Sequence, residues 1–331
     1  MSSSTALAET LEPCDRPLAL DVLSGLAQPQ KRLSSRFLYD ARGSDLFEEI
    51  TELSAYYPTR TEIGLLEQHA DAIAAEIGPN ASIVEFGSGS GRKIGILLHA
   101  LERPRAWLPI DIAGEALSQS VKDLRSQFPD LDLVPIHADF TQPVVLPPVN
   151  STENRVGFFP GSTIGNFEPR DALGFLGSVG TTLGAGAAMV IGVDLKKDLS
   201  TLLHAYDDPA GVTAAFNLNL LVRINRELGA DFDLDGFIHE ARYRKDHGRI
   251  EMHLVSRTAQ AVNVLGKRFH FEPGESIHTE NSCKYTVDEF WLLARASGWR
   301  PVQVWTDPEP WFSVHLLRFE PEDRVVSLQA N

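Results

Sequence analysis

Cysteine is nearly absent: Cys14 and Cys283 are the two in 331 residues, which leaves no disulfide framework and no paired spacing for a cysteine-rich zinc site. The ten histidines include no His-Glu-x-x-His or comparable ligand cluster, so no metal is expected. Positive charge is also scarce, with 30 Lys and Arg against 45 Asp and Glu and a formal charge of −15. A nucleic-acid backbone needs a clustered cationic surface that releases counterions, and is therefore not an expected partner. No apolar run reaches ~18 residues, and residues 1–15 lack a basic region followed by an apolar stretch, so neither a membrane span nor a signal peptide is expected. The composition suits a reducing cytoplasm; the oligomeric state is left open, a monomer included. What is present, 43% hydrophobic and 23% charged residues, is ordinary for a globular chain with one large core or two unequal ones.

One segment carries the strongest local signal. Ile83-Val84-Glu85-Phe86-Gly87-Ser88-Gly89-Ser90-Gly91-Arg92-Lys93 is a short apolar run that ends in glycines and then turns helix-like. Glycine permits the sharp turn at a strand's carboxyl end, and the following helix presents free N–H groups to a nucleotide-like ligand. Gly87, Ser88, Gly89 and Lys93 are therefore candidate cofactor contacts, although a merely tight connection would use the same glycines. Two acids extend the pattern at the ends of the next apolar runs, Asp111 after Trp107-Leu108-Pro109-Ile110 and Asp139 before Phe140. An acid at the end of the second strand of such a unit accepts hydrogen bonds from ribose hydroxyls, which points to Asp111. Asp139 would meet an adenine amino group and Phe140 would cover the base. Helix capping is the competing role for either acid.

Around this loop the alternation is regular: helix 61–75, strand 83–86, helix 92–101, strand 107–110, helix 115–128, strand 133–137, strand 156–159, helix 169–183 and strand 188–193. This predicts a parallel sheet with crossover helices on its faces. After Lys197 come a long amphipathic stretch, 209–228, and alternating runs such as 249–255 and 268–271, read as a helix and a small antiparallel sheet inserted into the parallel domain. Helix 286–297 resumes the pattern. Runs 302–305 and 311–317, joined by Thr306-Asp307-Pro308-Glu309-Pro310, predict a terminal hairpin. The expected fold is α/β: a Rossmann-like doubly wound sheet with a terminal antiparallel hairpin (60–198 and 286–331), plus a smaller α+β domain (15–59 and 199–285). Gly91 follows Gly89 by two positions, so the dinucleotide fingerprint Gly-x-Gly-x-x-Gly is not met. That favours the class I methyltransferase variant, whose cofactor S-adenosylmethionine has no pyrophosphate, over hydride transfer with a nicotinamide cofactor.

Several further motifs occur in one order along the chain. They are Phe37-Leu38-Tyr39-Asp40-Ala41-Arg42-Gly43-Ser44, Glu49-Ile50-Thr51-Glu52-Leu53, Tyr56-Tyr57-Pro58-Thr59-Arg60-Thr61-Glu62, Phe159-Pro160-Gly161-Ser162-Thr163-Ile164-Gly165-Asn166-Phe167 and Tyr206-Asp207-Asp208. From about Arg32 to Phe319 the sequence resembles the ergothioneine-pathway L-histidine Nα-methyltransferases. The resemblance implies an S-adenosylmethionine-dependent enzyme that trimethylates the histidine α-amine to hercynine, with the smaller domain binding substrate. It implies that Asn166 holds the amino acid's carboxylate and orients its amine, that Tyr56 and Tyr206 also contact the carboxylate, and that the Gly161 carbonyl accepts from the amine. Tyr39 matches a tyrosine near that amine. In Glu280-Asn281-Ser282, the resemblance implies that Glu280 and Ser282 address the two imidazole nitrogens, with Met252 as an apolar contact beside the ring.

These roles suit the reaction. Methyl transfer needs a neutral amine lone pair aimed at the methyl carbon, and positioning supplies most of the rate. An α-amine is largely protonated near neutral pH, and no dedicated base stands in these motifs. Glu280 is the expected specificity determinant, because a site built around a buried polar group rejects a ligand that leaves it unpaired. Taken singly, Tyr56, Tyr206 and Met252 would also fit a core, and Glu280 a solvated face. The alternatives are methylation of another aromatic amino acid or of a modified histidine of the ovothiol type, and a non-catalytic ligand sensor.

Overall fold

A computed structural model describes residues 16–147 and 154–321. Cys14 and the N-terminal segment read above for a leader lie outside them. The chain divides into two compact units, one of residues up to Arg60 with Lys196–Lys284, the other of Thr61–Leu195 with the residues from Tyr285 on. In chain order the helices are α1 (Arg16–Gly25), α2 (Ala41–Thr51), α3 (Tyr57–Ile77), α4 (Arg92–Ala100), α5 (Gly114–Gln127), α6 (Pro169–Leu183), α7 (Leu199–Tyr206), α8 (Val212–Leu228) and α9 (Val287–Ala296). The strands are β1 (Lys31–Arg32), β2 (Ser82–Phe86), β3 (Ala106–Asp111), β4 (Asp132–Leu133), β5 (Ile136–His137), β6 (Arg155–Phe159) and β7 (Ala188–Asp194). They continue with β8 (Phe237–Arg244), β9 (Arg249–Ser256), β10 (Gln260–Val264), β11 (Lys267–Phe271), β12 (Ser276–Cys283), β13 (Trp299–Thr306) and β14 (Phe312–Phe319).

In the second unit one sheet runs in the order β13-β14-β7-β6-β2-β3-β4, with β5 also paired to β3. Strands β2, β3, β6 and β7 are parallel, and β14 is antiparallel to both β7 and β13. This is the class I methyltransferase sheet, with its terminal hairpin laid beside β7. Every residue of β2 and β7 is buried, because a parallel sheet is covered on both faces and its strands read as continuous apolar runs. Ile83, Trp107, Val156, Val190 and Val314 belong to the core. Strand 133–137 is not continuous: it forms two short pieces on β3, broken at Val134-Pro135, where proline has no N–H for the ladder. Helix α3 begins at Tyr57 rather than 61, since Pro58 in a first turn needs no hydrogen-bonded N–H. A capping box starts α9, Thr286 Oγ1 accepting from Glu289 N–H and the Glu289 carboxylate from Thr286 N–H.

In the first unit β1-β12-β9-β8 form a four-stranded sheet and β10-β11 a separate hairpin. Helix α8 starts at Val212, not 209. Gly211 adopts φ 75°, and the Asp208 carboxylate accepts from the N–H groups of Val212 and Thr213 at 3.1 and 2.7 Å. Asp40 caps α2 through Gly43 N–H at 2.8 Å and is bonded to Asn219 and Arg226 of α8, both at 2.7 Å. Burial opposes its charge, but Arg226, Gly43 and Asn219 outweigh burial and hold the carboxyl below its usual value. No helix among the described residues is long and apolar enough to cross a membrane. Among them, no group of three or more His, Cys, Asp or Glu side chains could hold a metal ion.

Candidate active site

The glycine loop joins β2 to α4. Gly87, Gly89 and Gly91 all have positive φ, at 81°, 48° and 73°, a region that costs other residues about 1–2 kcal/mol. Asp111, the last residue of β3, accepts from Ser88 N–H and Ala113 N–H, each at 2.9 Å, and so ties the two loops together. Phe140 lies over Gly87, where an added Cβ would come 3.5 Å from its ring. Asp139 accepts from the N–H and hydroxyl of Thr141 at 2.9 and 2.6 Å. The loop thus gathers Gly87, Ser88, Asp111 and Phe140. In front of Gly89 a Cβ would meet nothing within 4 Å, and no N-cap side chain closes the start of α4. An open glycine backbone at a helix N-terminus, an acid at the neighbouring strand end and an aromatic ring together fit a nucleoside-bearing cofactor such as S-adenosylmethionine.

Asn166 ends a 3-10 turn, Thr163–Asn166, entered through two successive left-handed residues, Gly161 at φ 80° and Ser162 at φ 55°. Glu62 of α3, 1% exposed, accepts the Gly161 N–H with both carboxylate oxygens, at 2.8 and 3.0 Å, and pairs with Lys93 Nζ at 2.6 Å. Ser162 Oγ accepts from Asp194 N–H at 2.8 Å. Glu62 therefore fixes the Pro160–Gly161 peptide plane that enters the turn. Gly161→Ala has room for its methyl, 3.5 Å from Lys93 Nζ and Thr163 Oγ1, but must hold a left-handed φ. It is expected to cost about 1–2 kcal/mol of stability, read as a lowered thermal midpoint beside wild type; an unchanged midpoint would mean that the turn relaxes freely.

In the other unit, aromatic edges link three of the expected tyrosines. Tyr39 packs edge-on against Phe47 and Phe216 with centroids 5.6 and 5.5 Å away, Phe47 meets Tyr56 at 6.4 Å, and Tyr56 meets Tyr206 at 6.0 Å. The register of β12 shifts between His278 and Glu280, so that Met252 faces Glu280 and Ile250 faces Ser282. A bulge of this kind puts Glu280 and Ser282 on the face of Ile277 instead of the opposite one. Tyr206 Oη and Ser282 Oγ are 2.7 Å apart. His239 of β8 bonds the Tyr206 carbonyl through Nε2 at 2.8 Å and Asn217 through Nδ1 at 2.9 Å. Burial holds the ring below its usual pKa, and a neutral ring that accepts from Asn217 donates to Tyr206. Burial pushes the Glu280 carboxyl up to about 8, with the Lys284 ammonium opposing the rise.

Sequence reasoning passed over four residues. Glu62 lay inside a quoted motif without a role; Phe47 and Phe216 carry no mark beyond being aromatic; Lys284 completes a period-two run Glu280-x-Ser282-x-Lys284 that a strand reading would have put on one face. Its Nζ is 2.7 Å from Tyr206 Oη and 2.6 Å from Ser282 Oγ.

Residues 18–319 match the family described as histidine-specific methyltransferase, SAM-dependent. Over 304 residues the chain is 40% identical to the histidine N-alpha-methyltransferase of Mycolicibacterium smegmatis and 37% identical to that of Mycobacterium tuberculosis, each match covering 90% of this chain and 94% of the relative. It is 32% identical over 298 residues to ergothioneine biosynthesis protein 1 of Neurospora crassa, covering 87% of this chain and 33% of that protein. By this match over nearly its whole length, on a class I sheet with an open glycine loop, the chain belongs to the histidine-specific, S-adenosylmethionine-dependent methyltransferase family.

Proposed function

We propose that this enzyme trimethylates the α-amino group of L-histidine to hercynine, in the route to ergothioneine. The observation that carries the reading is the cross-strand pair of Met252 and Glu280 with Ser282 on the same face, bonded to Tyr206. An apolar side chain, a carboxyl and a hydroxyl together suit a flat ring with two nitrogens, and a purely apolar aromatic ring offers neither polar group a hydrogen bond. The Thr61–Leu195 unit, with the residues from Tyr285 on, takes the cofactor through Gly87, Ser88, Gly89, Lys93, Asp111, Asp139 and Phe140. The unit of residues up to Arg60 and Lys196–Lys284 takes the amino acid.

When bound, S-adenosylmethionine supplies an electrophilic methyl group. The protein's part is positional. Tyr56, Tyr206 and the Asn166 amide donate to the substrate carboxylate, and the Gly161 carbonyl, in the turn whose entry the Glu62 bond to Gly161 N–H anchors, accepts from the amine. Tyr39 stands in the same aromatic cluster as Tyr56 and Tyr206, near that amine. A carbonyl acceptor leaves the amine free to lose its remaining proton to water.

Mass spectrometry of the protein incubated with S-adenosylmethionine and the twenty amino acids tests the reading: successive gains of one, two and three methyl groups on histidine alone are expected. Methylation of a different amino acid would remove the roles given to Glu280 and Ser282. The division of labour has its own test. Asp111→Ala is expected to weaken S-adenosylhomocysteine binding about tenfold or more while histidine affinity changes little, as for loss of a charged hydrogen-bond partner, and Glu280→Ala the reverse, as for a buried ring nitrogen that loses its partner. Calorimetry showing equal losses of both ligands in both variants would contradict it.

A further inference from the structure

Lys284 is a buried cation that none of these roles uses. It follows β12 directly, is 2% exposed, and donates to Tyr206 Oη and Ser282 Oγ. Its Nζ also lies 4.5 Å from the centroid of the Tyr206 ring. The two hydroxyls it holds are bonded to each other, and either can be the donor. Protons can be counted in such a triad. An ammonium only donates, whereas each hydroxyl has one proton and two acceptor sites. One hydroxyl proton lies between Tyr206 and Ser282, so the pair can give a ligand at most one. If Tyr206 gives that proton to a carboxylate, Ser282 donates to Tyr206 and accepts from Lys284. Ser282 then meets the ligand with one acceptor site and no proton.

We propose that Lys284 is a specificity-determining positioning residue: by donating to both hydroxyls it holds them together with one outward proton, and once Tyr206 gives that proton to the substrate carboxylate, Ser282 is the acceptor of a ring N–H. The inference rests on the histidine reading and refines it. The substrate ring carries its proton on the nitrogen that faces Ser282, and the second ring nitrogen shares one proton with Glu280. The ammonium behind Tyr206 also strengthens the phenol as a donor to an anion. Without Lys284 the two hydroxyls lose their common donor and can part, so that Ser282 also donates outward and Tyr206 holds the carboxylate without the ammonium behind it.

The test uses the full chain as wild type, Lys284→Met and Lys284→Gln, with methyl transfer to histidine and calorimetry of S-adenosylhomocysteine as readouts. Lys284→Met is expected to raise the histidine KM about tenfold or more, the effect of losing a charged hydrogen-bond donor, while kcat changes less than about threefold and S-adenosylhomocysteine affinity stays at the wild-type value. Lys284→Gln, whose amide still donates without charge, is expected to lie between the two. A Met or Gln variant that melts like wild type and keeps the wild-type histidine KM overturns the proposal, as does a parallel loss of histidine and S-adenosylhomocysteine affinity. If the Met variant does not fold, the Gln variant decides, with a KM increase of about threefold or more expected. Failure of the wild type to methylate histidine is seen before any variant is made, and overturns the histidine reading together with this refinement of it.

Discussion

Glu62→Ala is expected to lower the unfolding free energy by about 3 kcal/mol, the low end of the cost of removing one partner from a buried ion pair. The substitution leaves the Lys93 ammonium without its carboxylate at 2.6 Å and the Gly161 N–H without either of its acceptor oxygens. The low end applies because the Lys93 side chain keeps 19% exposure and can turn part way to water. Glu62→Gln keeps one carbonyl oxygen for Gly161 but cannot pair with Lys93, so it is expected to recover part of the loss. A third variant reaches the same carboxylate from the opposite side. A Cβ on Gly192, in the buried strand β7, would lie 1.9 Å from Glu62 Oε1, so Gly192→Ala must expel the carboxylate and is expected to mimic Glu62→Ala. Urea unfolding followed by circular dichroism measures all three. A Glu62→Ala midpoint equal to wild type would show that the carboxylate does not hold the Gly161 turn.

The same residue shows where sequence reading stops. Glu62 sits inside a motif that the resemblance picks out, but its partner Gly161 is 99 positions away, and no local pattern announces that contact. The parallel sheet is far more legible. Strands such as β2 and β7, buried on both faces, are unbroken apolar runs next to glycines and helix starts, and their limits match the predicted ones to within a residue. Strand β12 is the opposite case. Its bulge changes the phase of alternation between His278 and Glu280, so a strict period of two puts Glu280 on the wrong face relative to Ile277. Ser276–Cys283 also mixes buried and half-buried polar residues, and no strand was predicted there. The candidate residues in it were legible only through a motif resemblance. The short helices α1, α2 and α7 were passed over for a different reason: at 8 to 11 residues each, their apolar pattern spans barely three turns.

Glu280→Gln and wild type are expected to differ in histidine affinity by a factor that is constant below pH ~8 and shrinks about tenfold per pH unit above it. Burial raises the Glu280 carboxyl to about 8, so in the free protein it carries a proton throughout the neutral range. With Ser282 accepting the ring N–H, the other nitrogen of a neutral imidazole is bare, and a protonated Glu280 meets it with the one proton required. Above pH ~8 wild type must take up that proton to bind, whereas the glutamine amide carries its donor at every pH. Below pH ~6.5 the imidazole of free histidine protonates and each protein must release one proton to bind, so that limb cancels in the ratio. The α-amine titrates identically for both and cancels as well. Calorimetric titration of the S-adenosylhomocysteine complexes between pH 6 and pH 9.5, in buffers of different ionisation enthalpy, gives both the ratio and the proton count. The slope carries the sign of the hydrogen-bond chain. If Ser282 donated to the ring instead, Glu280 would have to be ionised to accept the ring N–H, and the ratio would grow as pH rises toward 8. A ratio that grows would reverse the direction assigned to Tyr206, Ser282 and Lys284 while leaving Glu280 as the ring's partner, and a ratio flat through pH 9.5 would remove Glu280 from ring recognition altogether.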